Sequence, residues 1–184
     1  MTKFAGREIN DFTLEELARV VRENPRADTI ERFSVHAEYG NTDYETLDVK
    51  REGALPDVTD EFGVMAYESL LLDAIRCVGT DYLELFASQG ITVDAVALDV
   101  IGEVDLRGTL RPFGVISAAP AGWKSITFRG VVRTDAPKEK VARVHRVAWE
   151  TNIAAASLNA PVRLEVEVEP LPKETASSSV DQWT

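Results

Sequence analysis

The run from Ala66 to Ser88 constrains this chain more than any other stretch, because a helix that long and that apolar must be covered on most sides. It holds one glycine and no proline, and Tyr67, Leu70, Leu71, Leu72, Ala74, Ile75, Val78, Tyr82, Leu83, Leu85 and Phe86 spread round its circumference. Only Ser69, Asp73, Arg76, Thr80 and Glu84 form a polar stripe at helical spacing. Cys77, the only cysteine of the chain, sits beside that stripe. The pattern predicts a buried central helix closed by Gly90, with any chemistry centred on Cys77.

Around this helix the pattern is mostly that of strands. A short amphipathic helix comes first: Thr13 and Glu16 are spaced as a capping box, Phe12 and Leu17 as a staple, and Asn24-Pro25 ends it. Residues 31–39 then alternate, with Phe33, Val35, Ala37 and Tyr39 against Arg32, Ser34, His36 and Glu38. Gly40-Asn41 makes a turn into a second strand over residues 42–49, whose phase slips between Thr46 and Leu47 as at a bulge. Residues 51–63 read as a loop. Residues 93–107 predict a long strand with Val96, Leu98, Val100, Val104 and Leu106 on one face and a bend at Gly102.

Residues 108–122 mix proline, glycine and apolar side chains, as a loop packed over the core does. Phe113, Val115, Ile116 and Trp123 cover that core or line a pocket mouth. A strand over residues 125–134 leads through Asp135, a good cap, and Pro137 into a helix burying Val141, Val144, Ala148 and Trp149. His145 borders its apolar stripe and reads as a packed or half-exposed histidine in preference to a catalytic base, and His36 as a surface one. A short helix near residues 152–158 precedes the cleanest alternation of all, from Val162 to Val168. Strands outnumber helices, so the class is α+β: a largely antiparallel sheet with helices on one face.

The 184 residues fit one domain with its own core. A net charge of −11 argues against a nucleic-acid partner and against an anionic membrane. No apolar run is long enough to span a bilayer, and the opening residues lack an apolar signal core. A single cysteine fits a reducing cytoplasm. Two histidines and one cysteine far apart give no zinc spacing, and there is no phosphate-cradling glycine loop or GxSxG elbow, so no cofactor is expected.

Three stretches together resemble the OsmC/Ohr family of osmotically induced and organic-hydroperoxide-resistance proteins. Residues 68–77, ESLLLDAIRC, look like the family segment P-x-E-L-L-L-A-A-L-x-x-C, with Ala66 and Tyr67 in place of the proline and its neighbour. Residues 99–108, DVIGEVDLRG, and the strand–helix–helix–strand run over residues 122–168 follow in the family order. The resemblance covers about residues 33–168. It implies an OsmC-like sheet wrapped round the central helix, an intertwined homodimer, and reduction of an organic hydroperoxide with an external thiol. It makes Cys77 the attacking position and Glu68 its carboxylate, with Arg32 or Arg76 as the supporting arginine. Asn152 stands where the family carries its second cysteine. Residues 1–28 are then a helical extension, 29–170 the family domain and 171–184 a mobile tail.

Residue physics pulls the other way. At helical spacing Asp73 and Asp81 flank Cys77 on its own face, where carboxylates oppose a negatively charged sulfur. On a straight helix Glu68 and Cys77 stand about 180° apart and roughly 13 Å along the axis, so a kink or a second subunit has to bring them together. Two readings therefore stand: a thiol-dependent peroxidase, or a redox-silent OsmC-like dimer that binds a small apolar ligand or a protein.

Overall fold

The computed structural model describes residues 3–4, 7–8, 12–24, 29–40, 44–52 and 66–171. A two-strand ribbon comes first, β1 (Lys3–Phe4) against β2 (Arg7–Glu8), followed by α1 (Phe12–Glu23). The five-stranded sheet has the order β4-β3-β5-β6-β7. It comprises β3 (Ile30–Tyr39), β4 (Tyr44–Glu52), β5 (Ala95–Asp105), β6 (Trp123–Arg133) and β7 (Val162–Glu169). The helices are α2 (Ala66–Ser88), the short α3 (Leu106–Thr109), α4 (Lys138–Thr151) and α5 (Ile153–Ser157). The α+β class read from the sequence is the one observed. Within the five-stranded sheet three of the four pairings are antiparallel; β6 and β7 run parallel, joined by α4 and α5.

Alternation decides which face of the sheet is dry. Val35, Ala37 and Tyr39 of β3 pair in register with Val100, Leu98 and Val96 of β5, Phe33 sits opposite Gly102, and Val100 pairs in turn with Phe128 of β6. All are buried, and α2 lays Leu71, Ala74, Ile75, Val78, Tyr82 and Phe86 on them. Burying side chains of this size stabilises by about 1.5–3 kcal/mol each. Two glycines let these layers close. A Cβ at Gly79 would come within 1.9 Å of the Tyr39 hydroxyl, which donates to the Ile75 carbonyl at 3.1 Å. A Cβ at Gly102 would come within 2.3 Å of the Trp123 ring. Gly102 is therefore a seat for Trp123; the irregularity lies one residue on, between Glu103 and Val104.

Several boundaries differ from expectation for local reasons. β5 stops at Asp105, whose carboxylate accepts from the Arg107 backbone and starts α3, so Leu106 leaves the strand. The bulge in β4 falls opposite Glu38 and Tyr39, leaving Glu45 unpaired, just ahead of the predicted slip. Asp135 does not cap α4; it accepts from Leu171, and Pro137 holds the cap position without a side-chain bond. α1 begins at Phe12, which puts Thr13 inside its first turn. The Thr13/Glu16 and Phe12/Leu17 side-chain pairs, Pro25, the turn at Asn41, most of the 51–63 loop and the tail beyond residue 171 lie outside the described residues.

At the other end α2 stops as predicted. Gly90 takes φ +63°, its N–H bonds to the Ala87 carbonyl and Ile91 reaches back to Phe86. That pair of bonds is a Schellman motif, in which a left-handed glycine satisfies carbonyls the helix leaves open.

Candidate functional site: the open face of α2

The sheet, α4 and α5 cover one side of α2, and the other side is open. Leu70, Asp73, Arg76, Cys77, Thr80, Leu83, Glu84 and Ala87 are all exposed, Leu70 to 50% and Leu83 to 38%. Most of the predicted polar stripe, Asp73, Arg76, Thr80 and Glu84, lies on this open side, together with Leu70 and Leu83. Cys77 is a free, solvent-facing thiol on this open side.

The other predicted site residues do not converge on it. Glu68 is buried, 7% exposed, in the first turn of the same helix. α2 is continuous from Ala66 to Ser88, so nothing bends Glu68 round toward Cys77. Its neighbour Tyr67 stacks obliquely on Phe33 and edge-on to Trp123, an aromatic cluster that fixes this end of the helix. Arg32 lies on the outer face of the sheet, the side away from α2, and donates to Glu103 at 2.8 Å across β3 and β5. That hydrogen bond holds the Glu103 carboxyl below the ordinary range, with Ser125 adding a second donor. Arg76 shares the open face with Cys77 but is rotated by about 100° on the helix. Within the chain, then, Arg32 and Glu68 are separated from the sulfur.

Asn152 has a role that sequence reading passed over. Its side-chain oxygen accepts from Ala155 at 3.0 Å and so caps α5. Its amide donates to Asp81 at 2.7 Å, one turn beyond Cys77 on α2. Asparagine directly ahead of Ile-Ala-Ala-Ala was the available signal, since asparagine is among the best N-caps. The position matched to a second cysteine is a structural clasp between α5 and α2.

The two histidines behave as their patterns implied. His145 is sealed in, stacked flat on Phe128 at 4.3 Å. Its Nε2 donates to the Phe128 carbonyl and its Nδ1 accepts from the Tyr82 hydroxyl. Burial pushes its pKa down to about 4, which keeps it neutral. His36 sits on the outer sheet face; burial opposes its protonation, but hydrogen bonds to Asp99 at 2.7 Å and Glu38 at 3.3 Å outweigh that and raise its pKa. Val115 and Trp123 cover the core as expected, whereas Phe113 and Ile116 are exposed. Among the described residues no group of three or more His, Cys, Asp or Glu side chains is arranged to hold a metal ion. No described helix is long and apolar enough to cross a membrane.

No protein-family model and no curated protein matches the chain. Solved structures do. A hypothetical protein from Aquifex aeolicus matches at 14% identity and TM-score 0.47, over 60% of this chain and 77% of its own. An OsmC-like protein from Mycoplasma pneumoniae matches at 12% identity and TM-score 0.45, over 74% and 96%. An OsmC-like protein of unknown function from Vibrio cholerae matches at 18% identity and TM-score 0.45, over 66% and 77%.

Proposed function

We propose that the chain is an OsmC-like protein that acts as a homodimer through the open face of α2 and reduces organic hydroperoxides at Cys77. The observation that carries this reading is the exposure of the only thiol on a helix face that also exposes Leu70 and Leu83. Two leucines set among the charges of Asp73, Arg76 and Glu84, beside one thiol, suit a lipophilic substrate and a second copy of the chain. In the reaction the Cys77 thiolate attacks the distal oxygen of the hydroperoxide. The O–O bond breaks, the alkoxide leaves and takes a proton as the alcohol, and the sulfur becomes a sulfenic acid. An external dithiol then reduces it, releasing water and a disulfide of the reductant. Of the two candidate arginines this reading assigns the supporting role to Arg76, which shares the open face with Cys77, because Arg32 lies on the far face of the sheet.

A second reading has its own support. Glu68 is buried away from the sulfur, and Asn152 fills the place of a second cysteine with a hydrogen-bonded clasp. Both features suit a redox-silent dimer that binds a small apolar ligand or a protein.

Cumene hydroperoxide added to the reduced protein separates the two. The first reading expects a one-oxygen mass gain at Cys77, multiple turnovers with dithiothreitol, and no turnover in Cys77→Ser. Absence of turnover in the parent protein, or equal turnover in the variant, leaves the binding role. In either reading α1 docks through Ala18 and Val21, which are buried.

A further inference from the structure

A cavity of about 540 Å3 lies between the end of α1 and the turn that follows the 3-10 segment Arg111–Phe113. Val21, Val115, Ile116 and Ala118 give it apolar walls, and among the described residues its charged lining residues are Arg22 and Arg107. Small-molecule sites run from roughly 300 to 1,000 Å3, so the volume is of the right order. Val115 is buried and Ile116 fully exposed, which carries apolar surface from the interior out to solvent.

Both arginines are anchored by their own chain. Arg22 donates to the Phe113 carbonyl. Arg107 donates through Nε and Nη2 to Asp105, a buried carboxylate also bonded by Thr29 at 3.0 Å. A guanidinium carries five N–H donors, so each keeps donors that these bonds do not use. A guanidinium already held in place loses little further freedom when it takes up an anion. In a chain of net charge −11 this wall is cationic, and because Asp105 offsets Arg107, Arg22 carries the larger share of the attraction.

We propose that this cavity binds a small aliphatic monoanion, its carboxylate held by Arg22 and Arg107 and its hydrocarbon against Val21, Val115 and Ile116. The site is separate from Cys77 and stands whether or not that thiol is reactive.

Calorimetric titration of the full chain with octanoate tests it, with octylammonium as the probe of equal length and opposite charge. Octanoate should bind and octylammonium should bind at least about tenfold more weakly, the worth of a charge-assisted hydrogen bond. Arg22→Gln, an exposed change, should weaken octanoate by about tenfold on the same ground, while Cys77→Ser should leave it unchanged. Ala118→Trp should abolish binding by filling the cavity; if that variant melts early, Arg22→Gln alone decides. No heat with octanoate, equal affinity for the two probes, or affinity unmoved by Arg22→Gln overturns the proposal. Binding to phosphatidylglycerol vesicles without binding to free octanoate overturns it too, in favour of a membrane surface met by Phe113 and Ile116.

Discussion

A single imidazole gives the clearest pH signature of this molecule. His145 is held neutral by burial, with its pKa near 4 in the fold, against about 6.5 in an unfolded chain. A pKa lowered by folding means the unfolded chain takes the proton first as pH falls. The associated stability is therefore complete above about pH 6.5 and declines as pH drops toward 4, by on the order of 3 kcal/mol. Urea titrations across that range should show the decline in the parent and a flatter profile in His145→Phe. His36 works with the opposite sign: its pKa is raised, so its contribution is present below the unfolded value and is lost as pH rises through the folded one. Running His36→Asn alongside separates the two. Gly102 offers a second residue-scale test, since any Cβ there meets Trp123. Gly102→Val should cost about 1–3 kcal/mol by overpacking, seen as a lower urea midpoint with unchanged slope. The packed state of His145 was legible, because it borders a helical apolar stripe. The Asn152 clasp was not, because its partner Asp81 lies on another element and no local spacing connects them.

Among the elements, α2 was the most legible and also the most misleading. Its limits, Ala66 and Ser88, follow from unbroken apolar periodicity and a terminal glycine, both local properties. Which of its faces would be open does not follow. A helix apolar on nearly every side has no preferred inner face until the number of packing layers is known. Leu71 and Leu70 are adjacent and chemically the same, yet one is fully buried and the other half-exposed. The β6–β7 pairing was likewise hidden, because alternation is identical in parallel and antiparallel strands. The end of α2 provides the element-scale prediction. Gly90 holds a left-handed conformation that other residues adopt at a cost, so Gly90→Ala should lower stability by about 1 kcal/mol and fray the last turn. Amide exchange at Ala87 to Gln89 should speed up while exchange at Ile75 stays slow.

At the scale of the whole molecule, the exposed leucines of α2 are what the dimer proposal has to explain. Leu83→Glu adds charge to a face already in water in the isolated chain, so it should leave the monomer's thermal midpoint nearly unchanged. If the open face joins two copies, sedimentation should show the parent as a dimer and Leu83→Glu as a monomer. A parent that sediments as a monomer removes the dimer from the account. The cavity arginines belong to this scale too: Arg22 lies in α1 and Arg107 follows β5, so only the assembled chain brings them to one wall.

The order of the strands has a bearing on biosynthesis. β3 is flanked in the sheet by β4 and β5, yet α2 and its connections separate it from β5 along the chain. While the protein emerges from a ribosome, β3 and β4 can pair at once, but the other edge of β3 waits for Ala95–Asp105 to leave the exit tunnel. Throughout that interval the unpaired edge of a strand bearing Phe33 and Val35 is available to any neighbouring chain. Nascent chains halted within α2 should therefore recruit holdase chaperones, and those released after β5 should not.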